Sequence, residues 1–347
     1  MSELKDRPSK HLIFPAVLLI ATFALIVPAQ ETRHLHAAQA NPPLRLVATI
    51  PLPRVQGRID HFGVDVKGRR LFMSALGNNT VEVFDLRANK VLHTISGLRH
   101  PQGVTYAPDS GKIFVANADD GKVRIFDGAS YRLISTVDFG SDADDTRYDA
   151  ATRRVYVGYG EGGIGVLDAA TGRLLGEIKT PAHPEAFEVE RGGAKIYINI
   201  PDAREIAVAD WARRAIVERW PMNEYRENFP MALDAKDQRL FVMTREPAQF
   251  LALDASNGKV VAHLAAVGDS DDVWYDAAAK RIYATGGEGF ISVIQQEDAD
   301  HYRAIARIPT ASGARTSFFS PELRRLYVAV PHRGAQECEL RVYEPAK

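Results

Sequence analysis

Thr152-Arg153-Arg154-Val155-Tyr156-Val157-Gly158 reads as a charged turn followed by an apolar residue, an aromatic and another apolar residue. The same pattern surrounds Phe72 (Arg70-Leu71-Phe72-Met73), Phe114 (Lys112-Ile113-Phe114-Val115), Tyr197 (Lys195-Ile196-Tyr197-Ile198), Phe241 (Arg239-Leu240-Phe241-Val242), Tyr283 (Arg281-Ile282-Tyr283-Ala284) and Tyr327 (Arg325-Leu326-Tyr327-Val328). Successive aromatics are 42, 42, 41, 44, 42 and 44 residues apart. Self-similarity at about 40–45 residues is the mark of a propeller blade. Seven copies predict an all-β fold, a single seven-bladed β-propeller of four-stranded blades.

In the first repeat the strands read as Phe62–Val66, Arg70–Ala75, Thr80–Asp85 and Val91–Ile95, separated by turn residues such as Lys67-Gly68 and Gly77-Asn78-Asn79. The strands are nearly continuous apolar runs, the pattern of sheets buried on both faces. The aromatic of each second strand is expected between blades. The third strand ends in Asp85, Asp127, Asp168, Asp210 and Asp254 in successive repeats, with Ile294-Gln295 instead in the sixth. Such aspartates are expected to accept hydrogen bonds from turn N–H groups. The seventh repeat ends at Glu339-Leu340-Arg341-Val342-Tyr343-Glu344, without room for a fourth strand. The alternating stretch Leu44–Leu52 supplies it, closing the ring and removing its open edges.

The repeat overrides the two domains that 347 residues would otherwise suggest. At 46% hydrophobic and 25% charged, the chain has an ordinary globular composition. The net charge of −1 and the lack of basic runs argue against nucleic-acid binding, which needs clustered Lys and Arg. The one cysteine, Cys338, allows no intrachain disulfide and reads as a small core or edge residue rather than a nucleophile. Residues 1–40 have the layout of a secretory signal: Lys5, Arg7 and Lys10, an uncharged apolar run over 12–29, then Ala38-Gln39-Ala40. Cleavage there leaves 41–347 as the propeller, in the periplasm or secreted. An uncleaved N-terminal anchor is the competing reading, in which 12–29 is the membrane contact.

Ile113-Phe114-Val115-Ala116-Asn117, Arg154-Val155-Tyr156-Val157-Gly158 and Asn79-Thr80-Val81-Glu82-Val83-Phe84-Asp85 resemble the repeat units of the YncE-like, YVTN-type β-propeller proteins. The resemblance covers about residues 44–347. It implies the propeller fold and leaves the function open. The G-H and W-D pairs of WD40 repeats are absent at matching positions.

The repeat also serves as a ruler. Counting back eleven residues from each aromatic, or twelve in repeats 2 and 4, reaches the start of each innermost strand. The equivalent residues are His61, Gln102, Asp145, Glu185, Pro230, Asp272 and Thr316; just before them stand Asp60, Pro101, Asp144, Pro184, Phe229, Asp271 and Arg315. Packing alone would favour similar residues at equivalent places. This ring instead holds a histidine, an amide and three carboxylates, so His61, Gln102, Asp144, Asp145, Glu185, Asp271, Asp272 and Arg315 are the candidate ligand-binding residues. They predict a monomeric binding protein for a small polar ligand or an extracytoplasmic protein. His61, Asp145, His183 and Glu185 are candidate ligands for a divalent metal. The alternative function is a lactonase or lyase using such a metal and a His/Glu pair. Pro331-His332-Arg333-Gly334, a hairpin of repeat 7, offers His332 and Arg333 to an anion or to solvent. Ser317 lacks a G-x-S-x-G context, so serine-hydrolase chemistry is unsupported.

Overall fold

The structure, a computed structural model, describes residues 42–346. The signal and anchor readings of residues 1–40 lie outside the described residues. Each repeat folds into one antiparallel four-stranded sheet, and the seven sheets are the blades of a propeller. In blade 1 the strands are Phe62–Asp65, Arg70–Ala75, Thr80–Asp85 and Lys90–Ile95, within a residue of the positions read from the sequence.

Turn chemistry follows the aspartates. Asp85 accepts from the N–H groups of Arg87 and Ala88 at 2.8 and 3.1 Å. Asp168 accepts from the N–H and hydroxyl of Thr171 at 2.7 and 2.6 Å. A second set, which the sequence reading missed, ends the innermost strands. Asp65, Asp149, Asp234 and Asp276 take turn N–H groups in the same way. In blade 6, Gln295 stands opposite Arg281, where blades 1 to 5 have aspartate, and its amide donates to the Lys280 carbonyl at 2.8 Å.

Closure is by the two ends of the described chain. Leu44–Pro51 pairs antiparallel with Glu339–Pro345 as the outermost strand of blade 7. The Leu52 N–H extends the ladder to the Cys338 carbonyl at 2.8 Å. Cys338 is buried there, and burial pushes its thiol up to about 12, which keeps it in the unreactive protonated form.

The apolar core is divided into seven clusters, each spanning two successive blades. The seven repeat aromatics are at most 2% exposed. Phe72 packs with Val104, Ile113 and Val115 of blade 2, Tyr156 with Ile196 and Ile198 of blade 4, and Tyr327 with Leu71 and Met73 across the closure. The tryptophans also work between blades. Trp220 belongs to the cluster of blades 4 and 5, Trp274 meets Phe318 edge-on at 5.0 Å, and Trp211 lies under the Arg154 guanidinium at 5.3 Å.

Around the axis run the innermost strands: Phe62–Asp65, Pro101–Ala107, Ala143–Asp149, Phe187–Val189, Arg226–Asp234, Ser270–Asp276 and Ser317–Ser320. They meet closely. A Cβ on Gly63 would lie 2.6 Å from the Val104 carbonyl oxygen, and one on Gly103 would lie 2.3 Å from that of Asp144. Only glycine fits at these two contacts. Side chains also stitch the innermost strands: Thr105 Oγ1 donates to the Thr146 carbonyl at 3.2 Å between blades 2 and 3, and Thr316 Oγ1 to the Ile59 carbonyl at 3.2 Å between blades 7 and 1. The start of this ring carries the polar residues that the repeat does not explain.

Candidate site at the channel mouth

His61 precedes the innermost strand of blade 1, and its imidazole stands among carboxylates from three blades. Nε2 is 3.8 Å from Asp60 and 4.0 Å from Asp144; Nδ1 is 3.8 Å from Asp272. Burial opposes the charged imidazolium, but Asp145, Asp60 and Asp272 outweigh it and raise the His61 pKa well above its ordinary value. The surroundings therefore favour the imidazolium over the neutral imidazole.

The surrounding acids divide into two kinds. Asp60 is 2% exposed, and burial pushes its carboxyl up to about 7, although His61 and Arg58 pull it down. Asp272 is also raised by burial, partly offset by His61 and by the Ser317 N–H, which donates to it at 2.7 Å. Asp144 moves the other way. Burial acts against its charge, but the His183 hydrogen bond and the charges of His61, His183 and Arg58 hold it below the usual carboxylate range. His183 Nδ1–H donates to the Gly160 carbonyl at 2.7 Å and Nε2 lies 3.3 Å from Asp144. Burial disfavours its charge, but Asp144 wins and lifts it to about 9.

Arginines complete the network. Arg58 pairs with Asp60 at 3.1 Å, and Arg147 with Asp145 and, at 3.8 Å, Glu188. Arg245 pairs with Asp271 and lies 4.0 Å above the Phe229 ring. Arg315 contacts Asp269 at 2.8 Å and Asp271 at 2.6 Å. Glu185 stands apart: its side chain has no ion pair or hydrogen bond among the described residues, and burial with the nearby Asp144 charge lifts it to about 8.

The structure thus brings His61, Asp144, Asp145, Glu185, Asp271, Asp272 and Arg315 to one place. Gln102 is buried at the start of the blade 2 strand and makes no hydrogen bond to the network. Arg58, Arg147 and Arg245 are members that the sequence reading missed. Among the described residues no group of three or more His, Cys, Asp or Glu side chains is arranged to hold a metal ion.

Two cavities adjoin the network. The inner one, of ≈ 30 Å³, is lined by Arg58, Asp60, His61, Asp144, Asp145, Glu185, Ala186, Phe229 and Asp271. That is about the volume of one water molecule. Asp145 Oδ2 is buried without a hydrogen-bond partner, an acceptor open to a donor. The outer one, of ≈ 310 Å³, lies between blades 7 and 1 and shares Arg58 with the first. Cationic side chains, a carboxylate held ionised and carboxyls raised by burial give this mouth directional donors and acceptors.

Fold and site together define a seven-bladed β-propeller with a charged channel mouth. Two solved structures share the fold. A chain of a mitotic checkpoint complex superposes with a TM-score of 0.75 at 14% identity, over 95% of this chain and 100% of that one. A chain of Kuenenia stuttgartiensis hydrazine synthase superposes with a TM-score of 0.61 at 16% identity, over 80% of this chain and 94% of that one. In sequence, the chain is similar to the uncharacterized protein YncE of Salmonella typhi, 26% identical over 197 residues, and to that of Salmonella typhimurium, 25% identical over the same length. Each match covers 55% of this chain and 55% of the relative, so the chain spans about half the length of the curated relatives it matches. No family model matches the chain.

Proposed function

We propose that this propeller is a binding protein that captures a small polar ligand at its channel mouth. One observation carries the reading. The ring that starts the innermost strands is where the repeats diverge, and the divergent residues converge on a buried, charged network beside two cavities. Buried charge that packing does not demand is the usual mark of a functional site. Asp60, Asp144, Asp145 and Asp272 are each less than a tenth exposed, which favours a small ligand over a protein partner. If residues 1–40 act as an export signal, that ligand is met in the periplasm or outside the cell.

Glu185 supports a second reading. A carboxyl lifted to about 8 holds its proton at neutrality and is suited to proton donation, as a lactonase or lyase would require. One experiment addresses both. Melting of the purified protein is followed with organic acids, amino acids, sugars, lactones and divalent cations, and each lactone is also assayed for turnover. A saturable rise in Tm that Glu185→Gln diminishes, without turnover, is the expected result. Turnover lost in Glu185→Gln would replace binding with catalysis. No response to any compound would remove the small-ligand reading.

A further inference from the structure

We infer that the outer cavity between blades 7 and 1 is a subsite for an oxyanion, a carboxylate or phosphate group held by Arg58, Arg315 and Arg333. This rests on the reading of the mouth as a ligand site and names the chemistry of one part of it. The cavity has a volume of ≈ 310 Å³, at the small end for a metabolite site, and its lining includes these three arginines, His332 and Thr316 but no carboxylate.

The three guanidiniums come from separate segments: the loop leading into blade 1, the loop leading into the innermost strand of blade 7, and the hairpin of blade 7. Like charges repel, so their gathering needs a reason. Two of them have counter-charges outside the cavity lining. Asp60 holds Arg58 at 3.1 Å, and Asp269 and Asp271 hold Arg315 at 2.8 and 2.6 Å. These contacts fix both guanidiniums in place, yet the Arg58 side chain is 49% exposed and that of Arg315 is 24% exposed.

Arg333 has no such partner. Among the described residues no carboxylate pairs with it, and it is exposed. Its guanidinium nonetheless packs against the backbone at Gly313. A Cβ on Gly313 would lie 2.4 Å from Arg333 Cζ, so the guanidinium occupies the space that glycine leaves, and the φ of +76° at Gly313 also favours glycine. Gln336 locks the two segments together: its amide donates to the Ser312 carbonyl at 2.9 Å and the Pro331 carbonyl at 2.7 Å. An unpaired arginine held over a cationic cavity is a charge presented to something else. Guanidinium forks match the paired oxygens of carboxylate and phosphate, and cationic walls concentrate the field on an anion.

The test is titration calorimetry at constant ionic strength with succinate and inorganic phosphate as probes and an uncharged sugar as control. One anion is expected to bind saturably, and which one distinguishes a carboxylate from a phosphate ligand. Arg333→Ala should weaken it about 10-fold or more, the loss expected for a charged hydrogen bond. Gly313→Ala should weaken it too, by displacing the guanidinium. The unliganded Tm of Arg333→Ala should change by no more than about 2 °C, since the side chain is exposed. Failure of both anions to saturate, or unchanged affinity in Arg333→Ala, overturns the subsite. If a neutral or cationic compound then binds and Glu185→Gln diminishes its binding, the channel-mouth reading survives that failure; if nothing binds, both fall.

Discussion

The ring of aromatics and the ring at the channel mouth lie eleven or twelve residues apart in every repeat, and they are built under opposite constraints. From Phe72 to Tyr327 the aromatic position varies only between phenylalanine and tyrosine, always buried between a blade and its successor. The mouth position runs through His61, Gln102, Asp145, Glu185, Pro230, Asp272 and Thr316. Seven interfaces of one shape call for one kind of side chain. A single site on the axis calls for several kinds, one from each direction. In a closed repeat protein, then, uniformity marks what holds the blades together and divergence marks what meets at the centre.

The comparison can be broken first at the scaffold. Removing residues 44–51 takes away the outermost strand of blade 7 and exposes the edge of Glu339–Pro345. Loss of cooperative unfolding, followed by circular dichroism, is the expected and largest effect; near-normal melting would mean that the ring does not depend on this strand. Next come two single substitutions of similar size but different character. Tyr156→Ala empties a fully buried inter-blade position and should lower stability by about 3–5 kcal/mol, nearly independent of pH. His61→Ala leaves Asp60, Asp144 and Asp272 without their shared cation, a loss of about 3–5 kcal/mol at pH 8 by analogy with broken buried pairs. The loss should change between pH 5 and pH 8, because Asp60 and Asp272, both raised by burial, exchange protons in that range while a buried methyl group does not titrate. Urea unfolding of both variants at the two pH values separates packing from charge; parallel pH behaviour would erase the distinction drawn between the rings.

A gentler probe of the mouth is pH alone. Asp60 at about 7, Glu188 at about 7 and Glu185 at about 8 keep protons that the unfolded chain releases near 4. His183 at about 9 keeps one released near 6.5 on unfolding. Between about pH 5 and 9 the folded state binds more protons than the unfolded one, so stability falls as pH rises. Asp144, held below its ordinary value, works in the opposite sense only in stronger acid. Melting temperature should therefore decline from weak acid to pH 9. In Glu185→Gln the part of that decline between pH 5 and 8 should flatten, and an unchanged slope would show that Glu185 ionises normally.

How far these two regions were legible beforehand differs for physical reasons. The blades, the aromatic wedges and the closing strand follow from spacing and hydrophobicity, because packing repeats with the chain. The mouth was located by counting, which gives a place on a strand and not a partner; Gln102 is at its counted position and joins no ion pair. Arg147 lies two residues beyond Asp145, hence on the same side of a strand, and was within reach of that rule. Arg245 stands four residues after Phe241, where the other blades have Leu76, Ala118, Gly160, Pro201, Gly287 and Pro331. That is a second divergent ring, visible to the same ruler. Arg58 lies in a loop outside the register. The contrast between Asp60, raised by burial, and Asp144, held below its ordinary range, was beyond any sequence reading, since it depends on burial and on separations of 3 to 4 Å.

Regularity should not be mistaken for energy, and the smallest predicted effect makes the point. Asp168 keeps the period through the first five repeats, as the Tyr156 position does through all seven, and both lie on strands of blade 3. Yet the Asp168 carboxylate sits on a turn at the edge of the blade, where its bonds to the Thr171 N–H and hydroxyl compete with water. The Thr171 contacts hold its pKa below the ordinary value, which shows that they favour the charged form. Solvent screening keeps the net contribution small. Asp168→Ala is therefore expected to lower Tm by only about 1–3 °C, with cooperativity and ligand response intact. A drop comparable to that of Tyr156→Ala would mean that turn geometry, and not inter-blade packing, limits the stability of the ring, and the contrast between wedge and rim would then have to be redrawn with the turns as a third structural partner.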